Sequence, residues 1–285
     1  MLATRPLIAR LHSLHIATTS QPPPAPTLPP YERIQLLIDA EKEAAAACAD
    51  EDENETLGSS LYDKAATDGE LLDEGVIALL DALRPPSDAV FADLGSGRGG
   101  ALFRLAAAHE WRHAYGVELI GAKHAAAEHT LAALQKSQPE PPLLRSPVSL
   151  LKGDVIELES LAASSTLSEL THAYTCSVCF DDFLLRKMAK SLGDRKAFPR
   201  FQALVSLRQL PSQPHLTRIG SVPLACSWNA AVTGHCYVAS DLLERDAERD
   251  VPWPLLERML CDNGVCALPS ALQPWPSGGF VRLPS

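Results

Sequence analysis

Three carboxylates, Asp93, Glu118 and Asp154, each follow a short apolar run, and the first lies in Phe91-Ala-Asp-Leu-Gly-Ser-Gly-Arg-Gly-Gly100. Glycines at such a point let the backbone turn sharply and approach a ligand closely. A helix opening just after them presents free N–H groups to a carboxylate or phosphate. Gly95, Gly97 and Gly100 satisfy the dinucleotide pattern G-x-G-x-x-G. Asp93, two residues before the first glycine, would repel a pyrophosphate but accept a hydrogen bond from an ammonium group. Glu118 closes Tyr115-Gly-Val-Glu118 and stands where an acid binds both hydroxyls of a ribose. Asp154, after Lys152-Gly, is placed to accept from an adenine amino group. The set favours S-adenosylmethionine over a nicotinamide dinucleotide, with Asp93, Gly95, Ser96, Gly97, Gly99, Glu118, Asp154 and Phe180 as the binding residues. Each acid alone has a plainer role, Asp93 and Asp154 as caps or turn residues and Glu118 as the opening of a surface helix. The combination is more specific than its members.

The elements that must position these residues alternate. Strands are expected at Ala89–Leu94, His113–Glu118, Val148–Leu151, Thr171–Phe180 and Phe201–Leu207. Helices are expected at Ala101–His109, Lys123–Gln135 and Phe183–Leu192. Ahead of them, Leu71, Leu72, Val76, Leu79, Leu80 and Leu83 recur at helical spacing, and Pro85-Pro86 ends the run. Such alternation predicts an α/β, Rossmann-like, mostly parallel sheet with helices on both faces. Its end differs: Val222–Trp228, a turn through Gly234 and His235–Ala239 predict a C-terminal antiparallel hairpin. No internal repeat is present.

The 285 residues carry 25 Lys and Arg against 35 Asp and Glu, a net charge of −10, which argues against strong nucleic-acid binding. No apolar run reaches the roughly 20 residues of a membrane span. Residues 1–31 contain no acid and carry Arg5 and Arg10 among apolar residues before a proline-rich stretch, as a disordered or targeting leader would. Residues 32–60 form a helical and acidic segment, residues 61–244 the main domain, and residues 245–285 a proline-rich extension with a short helix near Leu255–Leu260.

The glycine loop with its strand-tip acids resembles the class I S-adenosylmethionine-dependent methyltransferases over roughly residues 60–240. Within them the chain resembles the disruptor-of-telomeric-silencing (Dot-one) family of histone-lysine N-methyltransferases. Asp93-Leu-Gly-Ser-Gly-Arg-Gly, Gly116-Val-Glu118, Ser227-Trp228 and the upstream Tyr62–Glu70 carry the likeness. Asp181 and Asp182 stand before Phe183 where that family has a pair of asparagines. The resemblance implies a protein substrate, a histone among the candidates, with Asp181, Asp182 and Trp228 at the acceptor side. The aspartates would accept a proton from, or bind, an acceptor ammonium, and Trp228 would wall its channel by cation–π contact. Helix capping by the aspartates and core packing by the tryptophan are the simpler roles. Tyr237 is a candidate for a further aromatic of that family. A small-molecule or non-histone acceptor, and a non-catalytic scaffold, remain as alternatives. The resemblance implies nucleus or cytoplasm; a targeting leader would imply a mitochondrion or plastid.

Cysteines number seven. Cys176, Cys179, Cys226 and Cys236 fall in strand-like stretches and are expected as buried free thiols. Cys176-Ser-Val-Cys179 has the spacing of half a zinc site, but no second pair matches it, so no metal is expected.

Overall fold

The computed structural model describes residues 30–47, 70–136, 142–247, 272–274 and 280–282. The leader before Pro30, the acidic run Asp50–Glu55, most of Tyr62–Glu70 and the helix near Leu255–Leu260 lie outside these residues.

Helices α1 (Pro30–Ala47) and α2 (Asp73–Leu83) precede strand β1 (Val90–Leu94). Then come α3 (Gly100–Ala108), β2 (His113–Glu118), α4 (Gly121–Lys136), β3 (Val148–Lys152), α5 (Leu158–Ser164) and β4 (His172–Thr175). The main sheet is completed by α6 (Asp182–Leu192), β5 (Ala203–Ser206), β6 (Leu216–Cys226) and β7 (Asn229–Ala239). Helix α7 (Ser240–Ala247) follows, and β8 (Leu272–Pro274) pairs with β9 (Phe280–Arg282) in a separate two-stranded ribbon.

The seven-stranded order is β3-β2-β1-β4-β5-β7-β6. Strands β1 to β5 run parallel, and β7 is antiparallel to both β5 and β6. Every side chain of β1 is buried, as a central strand covered on both faces requires. Phe91 faces a core built from α1 to α4 with Ile34, Ile38, Leu79, Leu102 and Phe103. Val90, Ala92 and Leu94 face a second core with Leu158, Leu185, Met188, Leu192 and Phe201. Helices therefore lie on both faces, and the chain reverses direction across the sheet between β1 and β4. That switch point is where open α/β sheets bind ligands.

Two expectations need correction. The hairpin turns at Ser227-Trp228, not at Gly234, which pairs with Val222 inside β7. A Cβ at Gly234 would stand 2.8 Å from Leu224 Cδ1 and 3.1 Å from Val205 Cγ1, so this glycine serves close packing rather than a turn. Strand β4 ends at Thr175 instead of Phe180 and continues as a 3-10 turn, Ser177–Cys179. Its neighbours β1 and β5 end at Leu94 and Ser206, so nothing remains for it to pair with. Cys176 and Cys179 consequently leave the sheet, and Cys179 is exposed; Cys226 and Cys236 are buried thiols.

Candidate active site

Strand β1 delivers Asp93 to the carboxyl edge of the sheet, and the glycine loop folds back over the tip of β2. Gly95 and Ser96 donate N–H bonds to Val117 O at 2.9 and 3.0 Å. Gly95, Gly97 and Gly99 all have positive φ, between 56° and 86°, which other residues adopt only at a cost. Glu118 Oε2 accepts from Gly97 N and Oε1 from Ile120 N, both at 2.8 Å, so the acid at the tip of β2 fixes the loop it faces. Gly153 N donates to Glu118 O at 2.9 Å and ties the exit of β3 to that of β2. Asp154 then caps a short 3-10 turn, Val155–Glu157, accepting from Ile156 N.

These tips enclose a cavity of about 210 Å³. Asp93, Gly95, Ser96, Gly97, Glu118, Asp154 and Phe180 line it, so seven of the expected cofactor residues converge. Gly99 stands one step back as the N-cap of α3, with Phe103 packed so close that a Cβ would meet its ring at 2.5 Å. The lining also includes Glu70, Arg98, Lys123, Tyr174, Cys176 and Cys179, which sequence reasoning did not assign to the site. Four carboxylates against two cations give the cavity a surplus of negative charge, suited to a cationic ligand and opposed to a pyrophosphate. Asp93 is 2% exposed; burial, reinforced by the charge of Glu118, raises its pKa to about 7.

Glu70 is the principal residue missed. Its backbone is clamped to the tip of the β6–β7 hairpin: Ser227 N donates to Glu70 O at 2.8 Å, and Glu70 N donates to Ser227 Oγ at 3.2 Å. Its carboxylate lies against Gly100, where a Cβ would stand 3.3 Å from Glu70 Cδ, and 4.0 Å from the guanidinium of buried Arg104. Apart from ending the family-like stretch Tyr62–Glu70, it carries no local mark of this place in the sequence.

The residues expected at the acceptor side are not among those that line the cavity. Asp181 is the N-cap of α6, accepting from Leu184 N at 2.8 Å. Asp182 is paired with Arg208 at 2.9 Å. The segment after β4 that does face the cavity is Cys176, Cys179 and Phe180. It is pinned from the β5 side, because Ser177 Oγ bonds Ser206 Oγ at 2.7 Å and accepts from Arg208 N at 3.0 Å, while the Arg208 side chain donates to Phe180 O. Trp228 is 43% exposed on the hairpin turn, next to the Ser227 that holds Glu70. It is an exposed turn residue rather than a core aromatic. Tyr237 belongs to the core, where its hydroxyl accepts from Leu210 N. Among the described residues no cluster of His, Cys, Asp or Glu has the arrangement of a metal site.

Residues 60–218 match the sequence pattern of the family described as "Histone methylation protein DOT1". The chain belongs to that family. It is accordingly an S-adenosylmethionine-dependent methyltransferase with a class I sheet. Solved structures of similar outline include the rRNA methyltransferase aviRa from Streptomyces viridochromogenes, with 16% identity, a TM-score of 0.46, and 68% of this chain and 97% of that one covered. TrmN from Thermus thermophilus aligns at 16% identity with a TM-score of 0.42, covering 62% of this chain and 52% of its own. An RNA methyltransferase from Salinibacter ruber, in complex with S-adenosyl-L-homocysteine, has 19% identity and a TM-score of 0.37, with 57% and 89% covered. Comparison with curated proteins gives no match.

Two features of this DOT1-family cavity fit the cofactor without strain. Ser96 Oγ is buried and has no hydrogen-bond partner among the described residues, a polar atom left unsatisfied on the glycine loop. A Cβ at Gly97 would meet nothing within 4 Å, so the loop leaves open space on its ligand side.

Proposed function

We propose that the acceptor is a lysine side chain of a protein, with histones as the substrate class and the nucleus as the compartment. The observation that carries this reading is the convergence of Asp93, Glu118, Asp154 and Glu70 around one glycine loop, in a chain of the histone-methylation family. In this reading Asp93 and Glu70 hold the ammonium end of the cofactor, Glu118 the ribose hydroxyls and Asp154 the adenine amino group. Phe180 packs over Gly95, where a Cβ would lie 3.0 Å from its ring, and closes the cavity wall. When bound, S-adenosylmethionine supplies a methyl group already activated by its sulfonium, so the protein's task is alignment and exclusion of water.

A lysine acceptor must lose its proton before transfer. Desolvation in the channel lowers its pKa, while nearby carboxylates raise it. Asp181, exposed beside Phe180, attracts and orients a cationic side chain outside the cavity rather than within it, while the charge of Asp182 is met by Arg208. Trp228, beside the clamp on Glu70, borders the approach and offers a ring face to the incoming cation.

Calorimetry with S-adenosylmethionine and with NAD tests the donor. Saturable binding of the first alone is expected, and binding of NAD alone would overturn the cofactor assignment. Transfer of a tritiated methyl group to nucleosomes, free histones and small-molecule amines tests the acceptor. Label in histone lysine is expected. Label only in small molecules would replace the protein-lysine reading with the small-molecule one.

A further inference from the structure

Cys176 and Cys179 are thiols on the wall of the cofactor cavity, and neither takes part in the chemistry above. Cys176 is the N-cap and Cys179 the last residue of one 3-10 turn, closed by Phe180 N donating to Ser177 O at 2.9 Å. The two residues between them, Ser177 and Val178, take the helical turn that brings the chain back on itself. Three steps of about 2 Å rise place their Cα atoms about 6 Å apart, inside the range a disulfide spans. Their accessibility differs: Cys179 is exposed, whereas Cys176 lies deeper, beside Asp93.

From this geometry we infer that Cys176 and Cys179 are an oxidative modification site, forming an internal disulfide that weakens cofactor binding. The functional half of this inference rests on the cavity being the S-adenosylmethionine site.

The oxidant is a low-molecular-weight disulfide such as glutathione disulfide. Cys179, the accessible thiol, attacks it as thiolate, breaking its S–S bond and releasing one glutathione. Cys176 then displaces the second glutathione from the mixed disulfide. Two protein thiols are oxidised, one glutathione disulfide is reduced to two glutathiones, and the two protons end on those thiols. Burial, together with the nearby charge of Asp93, pushes the Cys176 thiol up to about 12, so the accessible Cys179 makes the first attack.

The consequence follows from what the turn carries. Phe180, next to Cys179, has its ring against Gly95 and its carbonyl held by Arg208. Drawing Cys179 toward Cys176 rotates the peptide that positions this ring, and with it the wall facing the glycine loop. Reduction restores the open wall.

The test equilibrates the full chain in glutathione buffers of graded potential, alkylates it, maps its peptides by mass, and measures S-adenosylmethionine affinity in parallel. A Cys176–Cys179 crosslink, an affinity at least tenfold weaker, and recovery with dithiothreitol are expected. In Cys179→Ser and Cys176→Ser, the ratio of oxidised to reduced affinity should stay near one, whatever their basal affinity. A Cys176–Cys226 bond, no disulfide at any potential, or a disulfide with unchanged affinity would overturn the inference. If the reduced wild-type protein bound no S-adenosylmethionine, the cofactor reading would fail instead, while peptide mapping would still decide whether the disulfide forms.

Discussion

Cofactor binding should be coupled to the ionisation of Asp93. With its pKa near 7, this carboxyl is largely protonated below neutrality. Meeting a cofactor ammonium requires the carboxylate. Binding must therefore expel a proton, and the apparent Kd should scale as one plus the ratio of protonated to ionised Asp93. Relative to alkaline pH, that factor is about 2 at pH 7, about 11 at pH 6 and about 100 at pH 5. Calorimetry in buffers of different ionisation enthalpy measures both the affinity and the protons released, expected at about 0.9 per site at pH 6. In Asp93→Asn the pH dependence should vanish. Its affinity at alkaline pH should fall by the worth of a charge-assisted hydrogen bond, about 1.5–3 kcal/mol. Saturable wild-type binding with flat affinity and no proton release between pH 5 and 7.5 would refute the placement of Asp93 against a cationic group.

The same carboxyl enters stability with a definite sign. Asp93 has a raised folded pKa, so its contribution is fully favourable below about pH 4 and is lost as pH rises toward 7, by about 4 kcal/mol. His172 acts oppositely: burial lowers its pKa to about 3, so stability is lost as pH falls from 6.5, by about 4–5 kcal/mol. Thr171 Oγ1 gives its proton to Val90 O and accepts from His172 Nδ1, which leaves Nε2 as a buried, unpartnered lone pair that cannot be charged cheaply. The two effects oppose each other in the wild type, and denaturation across pH 4–7 should show a steeper rise with pH in Asp93→Asn and a fall in His172→Leu. Glu118→Ala should weaken cofactor binding by about 1.5–3 kcal/mol, while Glu118→Gln keeps an acceptor for the loop and should lose less; equal affinities in all three proteins would remove the ribose from the tip of β2. Trp228→Ala should lower kcat/KM for a protein acceptor by at least tenfold with the cofactor Kd unchanged, and a loss confined to cofactor binding would take Trp228 off the acceptor path.

The sheet and the cofactor side were legible because local rules and the tertiary structure agree there. In β1, β2 and β3 an apolar run ends against Gly95, against Glu118 and against Gly153-Asp154, so each strand tip is marked by its own turn or charge chemistry. Glu70 was not legible as a site residue, since what brings it in is the pairing of its backbone with Ser227, a contact spanning 157 residues. The Ser227-Trp228 turn was obscured by Gly234, whose role in packing against Leu224 and Val205 has no local signature.

The acceptor side shows most clearly how such a rule fails. The apolar, thiol-bearing stretch after Thr171 carries no glycine or proline to mark its end, so it is read as strand up to the first charge, which makes Asp181 its tip. A strand, however, lasts only as long as its neighbours can pair with it, and here they end at Leu94 and Ser206. From Cys176 the backbone needs other partners, and it finds them in the 3-10 turn and in Ser177, Ser206 and Arg208. The effect is to put Cys176, Cys179, Phe180 and Leu184 on the cavity wall, and to turn Asp181 and Asp182 outward to cap α6 and pair with Arg208. The wall after β4 is thus held in place by hydrogen bonds from Ser206 and Arg208, at and beyond the end of β5. Arg208→Met, which removes the hold on Phe180 O and on Asp182 together, is the substitution most able to disturb that wall without touching a residue that lines it.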